Sequence, residues 1–373
     1  MTFPRRPPGA DDASTVAVRS DTHRRGATRR PRTVLTAVLT VTALMLGGCA
    51  LRGLDDDALR IQLAFVKNSQ NAGEYIADHD GYYEDAGFSK VDLIAGPTAV
   101  EQSAATGHAT VAGSTALGTA NAIDSEGMPI KIIGAIYARN AFTVISMNGP
   151  HAIRTPADLE GARIAVTPGT AQSMVEGLAR ANGIDPSTIT FVPAGETAVL
   201  TSGEVDGFHG LTANQLIDLR RAGHDVVSLD LADHGMPFAG AAYAVSQESI
   251  DDNRENLKKF LVASIRGWRD AVADPRRGAE LATDIYGADL GLDPEKELLQ
   301  AEAQVEFIDN DQTLPGELFR LTDDAMVENV ESLRLSGIDV TTDELFDMSL
   351  LDEVYQEHPE LRGPVTDNPK DAA

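Results

Sequence analysis

The chain has 373 residues, with 31 Lys and Arg against 57 Asp and Glu, a formal charge of −26. That balance excludes nucleic acid as a partner, because phosphate recognition needs clustered Lys and Arg. The single cysteine excludes an intrachain disulfide, so stability must come from a large buried core, which this length supplies best as two domains.

The leader comes first. Residues 1–48 hold eight Arg and three Asp (+5), which leaves −31 for residues 49–373. Arg24, Arg25, Arg29, Arg30 and Arg32 precede an uncharged, mostly apolar run at 34–46, then two glycines and Cys49. A positive flank, an apolar run and small residues at its end are the order of a secretory signal. Thirteen residues are too few for a bilayer, which takes about 20. The end of the run, Leu46-Gly47-Gly48-Cys49, resembles a bacterial lipobox. The resemblance implies acylation of Cys49, with the mature protein held at the extracytoplasmic face of the cell membrane by a lipid anchor. The alternative is a free cysteine buried in a core. On the lipobox reading, residues 1–48 are the signal peptide and 49–58 a polar tether.

Beyond the tether, strands and helices alternate. Strands are predicted at 59–66, 91–95, 109–112 and 129–138, with helices at 73–86, 98–106 and 116–125. Such alternation means βαβ units and a mainly parallel sheet. The pattern restarts at Thr155-Pro156-Ala157-Asp158, which has a capping residue, a proline at the first helical position and an acid at the third. Strands at 162–167, 189–192, 205–208 and 225–231 then alternate with helices at 170–182, 196–201 and 213–221. Gly183 stands in the C′ place of the first of these. After a strand at 240–246 the chain is predicted helical at 252–273, 278–286, 294–307, 316–335 and 343–355. Phe260, Leu261, Ile265 and Trp268 recur at helical spacing, which marks a buried face.

Several segments resemble the type II substrate-binding proteins of ABC importers, in the group for sulfonates, nitrate and pyrimidine precursors of thiamine. The group's N-x-x-x-A-G-x-Y-x-A is matched by Asn68, Ala72, Gly73, Tyr75 and Ala77. Its G-Y-F-x-x-x-G is approximated by Gly81-Tyr82-Tyr83 and Gly87, and its G-x-P-[IV]-K by Gly127 to Lys131. Ile153, Pro156, Asp158-Leu159 and Gly161 match I-x-x-P-x-D-L-x-G, and Gly203-Glu204-Val205-Asp206 matches G-x-V-D. In the pyrimidine-precursor branch the first strand reads W-x-P-N-x-x-H, where this chain has Phe65, Lys67 and Asn71. The resemblance implies an α/β fold of two lobes with a ligand cleft between them and a helical C-terminal part. It implies one lobe at 58–142 plus 243–373, the other at 143–242, and chain crossings near Ala141 and Phe142 and near Ala241 to Tyr243. It implies capture of a small molecule for an ABC permease and ATPase complex, with no cofactor and no catalysis.

Ligands of open α/β sheets bind beyond the carboxyl ends of strands. That rule selects the loops 65–71, 96–98, 113–115, 168–172, 194–196 and 209–214. Ser114, Thr115, Thr170 and Ala171 sit where helices begin, and free N–H groups there suit an anion or a carbonyl oxygen. Ser114 and Thr170 equally suit helix caps. Asn68 and Asn71 suit a ligand's polar edge or the turn after the first strand. Phe142 and Tyr243 suit a planar ring or hinge packing. Glu196 suits a cationic nitrogen or a helix start. His209, between a strand and glycines, and Asn214 complete the set. Lys67 and Arg139 are the nearest cations.

Two other classes compete with the binding module. One is a sensor presenting its closed form to a receptor. The other is an enzyme resembling the eukaryotic pyrimidine synthases of this fold. Those carry a cysteine-rich motif that one cysteine does not supply, and no H-E-x-x-H, G-x-S-x-G or P-loop spacing occurs.

Overall fold

The computed structural model describes residues 57–96, 100–167 and 170–365. Cys49 and the leader lie outside the described residues, as do Pro168 and Gly169. Two five-stranded sheets organise the described chain from Asp57 onward. The first contains β1 (Ala58–Gln62), β2 (Lys90–Ile94), β3 (Val111–Ser114) and β4 (Ile130–Tyr137). The second contains β5 (Phe142–Met147), β6 (Arg163–Val166), β7 (Thr190–Pro193), β8 (Gly207–Leu211) and β9 (Val226–Asp230). The chain then returns with β10 (Ala241–Ser246) to the first sheet. The orders are β2-β1-β3-β10-β4 and β7-β6-β8-β5-β9.

Each sheet has one reversed strand, and the reversal sets where the chain passes between the sheets. β10 runs antiparallel to β3 and β4, and β5 antiparallel to β8 and β9. So β1, β3 and β4 end at one edge of the first sheet, where β10 begins. Likewise β6, β8 and β9 end where β5 begins, with Phe142 opposite Leu211. Residues 138–141 and 231–240 therefore join one carboxyl edge to the other. The second passage lies ahead of the position expected, because Ala241, Ala242 and Tyr243 are already paired in β10.

The two passages are tied to one another. Asn140, 2% exposed, donates from Nδ2 to the Met236 carbonyl at 2.9 Å and accepts the Phe142 N–H at 2.9 Å. A Cβ on Gly240 would stand 3.1 Å from the Ala141 nitrogen and the Arg139 oxygen, so the segments run backbone against backbone. Arg139 pairs with Asp233 across them. Asn329, fully buried, accepts the Ala239 N–H at 2.7 Å.

The N-A-G-x-Y-x-A segment is scaffolding. Gly73 lies beneath the Trp268 ring, and Gly267 against the Gly73 carbonyl and Ala77. The helices Ala72–His79 and Arg254–Ala273 thus approach closely through two glycines. Tyr75 stacks on Tyr286 with centroids 4.4 Å apart. Trp268 is wholly buried, as its spacing predicted.

Several predicted helices differ, among them 343–355, which is interrupted at Phe346 to Met348, where Phe346 bridges to Ile132. The 73–86 helix is broken at Gly81, whose φ is +77°. The 316–335 helix begins only at Asp323, with Thr322 accepting the Ala325 N–H. Before it, the Phe319 carbonyl accepts the Ala135 N–H at 2.9 Å, and Leu321 bridges to Thr313. β4 is an edge strand, and covering its open N–H groups outweighs helix propensity in that stretch.

Candidate functional site

The first-lobe edge is built by loops that brace one another. After β1 the chain turns through Phe65 to Asn71. Asn68, 4% exposed, accepts the Gln70 N–H at 3.2 Å and so caps the turn. Asn71 donates to the Val66 carbonyl and the Tyr75 hydroxyl, which spends its amide inside the turn. Gly96 lies against the Leu63 and Ala64 backbone, and its N–H donates to the Phe65 carbonyl at 2.9 Å. Phe65 is left 38% exposed, the one large apolar side chain of this edge among the exposed ones described.

After β3 the two hydroxyls divide their work. Thr115, not Ser114, caps the helix Ala116–Glu126, accepting the Gly118 N–H at 2.9 Å. Ser114 is buried and donates to Glu101 at 2.6 Å while accepting from Thr119.

At the second-lobe edge, Phe142 is half-buried and stacks on His209, with centroids 5.1 Å apart and planes 14° apart. His209 is 4% exposed, and its Nε2 is buried without a hydrogen-bond partner. Burial holds its pKa down at about 4, so the ring is neutral at pH 7. Thr170 precedes the helix Ala171–Ala181 but its side chain caps no N–H. Ala171 is buried at the helix start. Glu196 is exposed in the turn before the short helix Ala198–Thr201. Asn214 is 7% exposed at the start of the helix Gln215–Arg221 and likewise makes no side-chain cap.

Tyr243 does not join this group. It is fully buried inside β10, donates to Glu74 Oε1 at 2.7 Å and accepts from Trp268 Nε1 at 3.0 Å. Its ring meets Phe260 and Phe319 edge-on, so it belongs to the first-lobe core and offers no face for stacking. Glu74 beside it, buried and with Oε2 unpartnered, has its pKa raised by desolvation.

Sequence reasoning missed Asn140, Glu297 and Gln304. Glu297 accepts from Ser69, and Gln304 donates to the Ser69 carbonyl, so both anchor the first-lobe loop from more than 200 residues away. The signal for Asn140 was an Asn three residues past the end of a long apolar strand; nothing local marks the other two. Among the described residues no cluster of three or more His, Cys, Asp or Glu is arranged to hold a metal.

Residues 68–278, more than half of the chain, match the family described as NMT1/THI5 like. The chain is 29% identical over 248 residues to the riboflavin-binding protein RibY of Chloroflexus aurantiacus, covering 64% of this chain and 70% of that one. Among solved structures, it is similar to the periplasmic aliphatic sulphonate binding protein SsuA of Escherichia coli. There the TM-score is 0.61 at 15% identity, over 79% of this chain and 91% of that one. The periplasmic nitrate-binding protein NrtA of Synechocystis PCC 6803 gives a TM-score of 0.59 at 12% identity, over 82% and 91%. These likenesses carry the fold: two α/β lobes of the periplasmic-binding-protein type with a helical C-terminal part.

Proposed function

This chain belongs to the NMT1/THI5-like family, and from that premise we propose that it is an extracytoplasmic solute-binding lipoprotein of an ABC importer. Its ligand is a planar heteroaromatic of the flavin class, held between the lobes and delivered to a permease and ATPase. The observation that carries this reading is the pair of aromatic surfaces on the two carboxyl edges. Phe65 is exposed on one, and Phe142, backed flat by His209, stands on the other. Aromatic faces suit a flat ring, with stacking worth about 0.5–1.5 kcal/mol beyond the area buried. Arg139, the cation of the crossing, is already paired with Asp233, which leaves it less available to an anionic ligand. The similarity to a riboflavin-binding protein supports the same class. The described chemistry needs no catalytic group.

Calorimetric titration with riboflavin is the test. Binding should be saturable, and Phe65→Ala or Phe142→Ala should each weaken it roughly 5- to 30-fold, at 1.4 kcal/mol per decade. Asn68→Ala should weaken it too, and should also lower apo stability by about 1 kcal/mol through the lost cap. No heat with riboflavin up to millimolar concentration overturns the flavin reading.

One observation favours a second reading, an alkanesulfonate or nitrate. Thr170 leaves the first-turn N–H groups of an 11-residue helix uncapped by its side chain, and such N–H groups donate to anions. Titration with those anions separates the two readings.

Anchoring is predicted to depend on Cys49. Cys49→Ser should leave the protein uncleaved or release it from membranes on fractionation. A Ser variant processed and retained like wild type rules the anchor out.

A further inference from the structure

The helix Pro294–Ala303 touches both lobes with different parts of itself. Its middle grips the first-lobe loop. Oε2 of Glu297, a residue 1% exposed, accepts the Ser69 N–H at 2.7 Å and the Ser69 hydroxyl at 2.5 Å. Just past its end, Gln304 donates to the Ser69 carbonyl at 3.2 Å and accepts from Tyr137 at 2.8 Å. Its first turn grips the second lobe. Arg221 donates to Asp293 at 2.9 Å and to Glu295 at 3.0 Å, and Lys296 reaches Asp218 at 2.8 Å. Arg221 and Asp218 lie on the helix that follows β8. Asp293 is also this helix's N-cap, accepting the Glu295 and Lys296 N–H groups, so one carboxylate both starts the helix and holds the other lobe.

We propose that this helix is a clasp between the lobes and that Glu297 is the positioning residue for the loop carrying Phe65 and Asn68. The proposal rests on the reading that this loop meets the ligand. Three ion pairs at the first turn fix the helix against the second lobe, and Glu297 passes that placement to Ser69 within the same two turns. A buried carboxylate taking two hydrogen bonds from one residue defines the loop's position, because losing the acceptor strands a buried N–H. Isolated exposed ion pairs contribute little, but three sharing one helix end act together. With Asp293 half-exposed and Glu295 mostly so, salt screens them.

Hydrogen exchange of the loop 65–71 in the full chain, without ligand, tests this. Arg221→Ala and Lys296→Glu should each speed exchange of that loop roughly 3- to 30-fold. The charge exchange Asp218→Lys with Lys296→Glu should restore it. Raising salt to 0.5 M should speed it in wild type. Glu297→Ala should speed it at any salt, and Glu297→Gln, which keeps an acceptor, should largely rescue it. The clasp is overturned if the ion-pair variants leave the loop unchanged. It is equally overturned if exchange rises by the same factor throughout both lobes. Since no ligand is added, this outcome and the riboflavin titration stand or fall separately.

Discussion

Replacing Gly73 with alanine should cost about 3 kcal/mol of stability or more, although alanine is the better helix former. Gly73 is in the first turn of the helix Ala72–His79, where relief of glycine's helix penalty, at most about 1 kcal/mol, favours alanine only slightly. A methyl group there would fall within the Trp268 ring, and Trp268 is wholly buried, with no free side to move into. Its displacement would also break the Nε1–H bond to Tyr243, and Tyr243 in turn donates to the buried Glu74. Overpacking a dense core costs about 1–3 kcal/mol, and the lost hydrogen bonds add to it. Thermal unfolding should show a fall of roughly 5–10 °C. Trp268→Leu should also destabilise, but the pair Gly73→Ala with Trp268→Leu should be less harmful than the sum, because the smaller side chain vacates the space. An alanine variant as stable as wild type, or strict additivity in the pair, would show that the two residues do not press on one another.

The second large effect is acid lability centred on His209. Its imidazole is neutral in the fold, with a pKa near 4, because burial disfavours the charged form. In the unfolded chain it takes up a proton near pH 6.5. The unfolded state therefore binds more protons between those values, and stability falls as pH drops through that window. The contribution is intact above pH 6.5 and reaches a loss of about 3 kcal/mol by pH 4, at 1.36 kcal/mol per unit. His209→Phe keeps a flat ring against Phe142 and removes both the titration and the unpartnered Nε2. Its melting temperature should stay flatter from pH 6.5 to 4, and at pH 7 it should be about as stable as wild type. A variant that loses stability on acidification as steeply as wild type would place the lability elsewhere. Measuring riboflavin affinity on the same variant separates support of Phe142 from direct contact with the ligand.

How much of this was legible beforehand depends on how far along the chain each cause reaches. The box at Thr155 and Asp158 forms as its spacing required, with Asp158 accepting the Thr155 N–H at 2.9 Å. Gly183 follows its helix with φ of +71°. Trp268 is core. The alternation of strands and helices is present in both sheets. Each of these follows from apolar periodicity or from hydrogen bonds spanning four residues or fewer.

What the sequence missed depends on distant partners. The segment at Phe142 read as a bare crossing, yet Phe142–Met147 is a central strand, because β8 and β9 supply hydrogen bonds on both sides. Tyr243 read as a ligand-stacking or hinge aromatic, yet Glu74, 169 positions earlier, claims its hydroxyl. Ser69 carried no signal at all until Glu297, 228 positions later, reached it. By itself, then, the sequence determined the α/β class, the alternation of strands and helices and where the strands end, since those are set by local pattern. Only the tertiary structure decided which of the singled-out side chains are buried and what holds the loops at the strand ends, since burial and charge pairing are settled when remote segments meet.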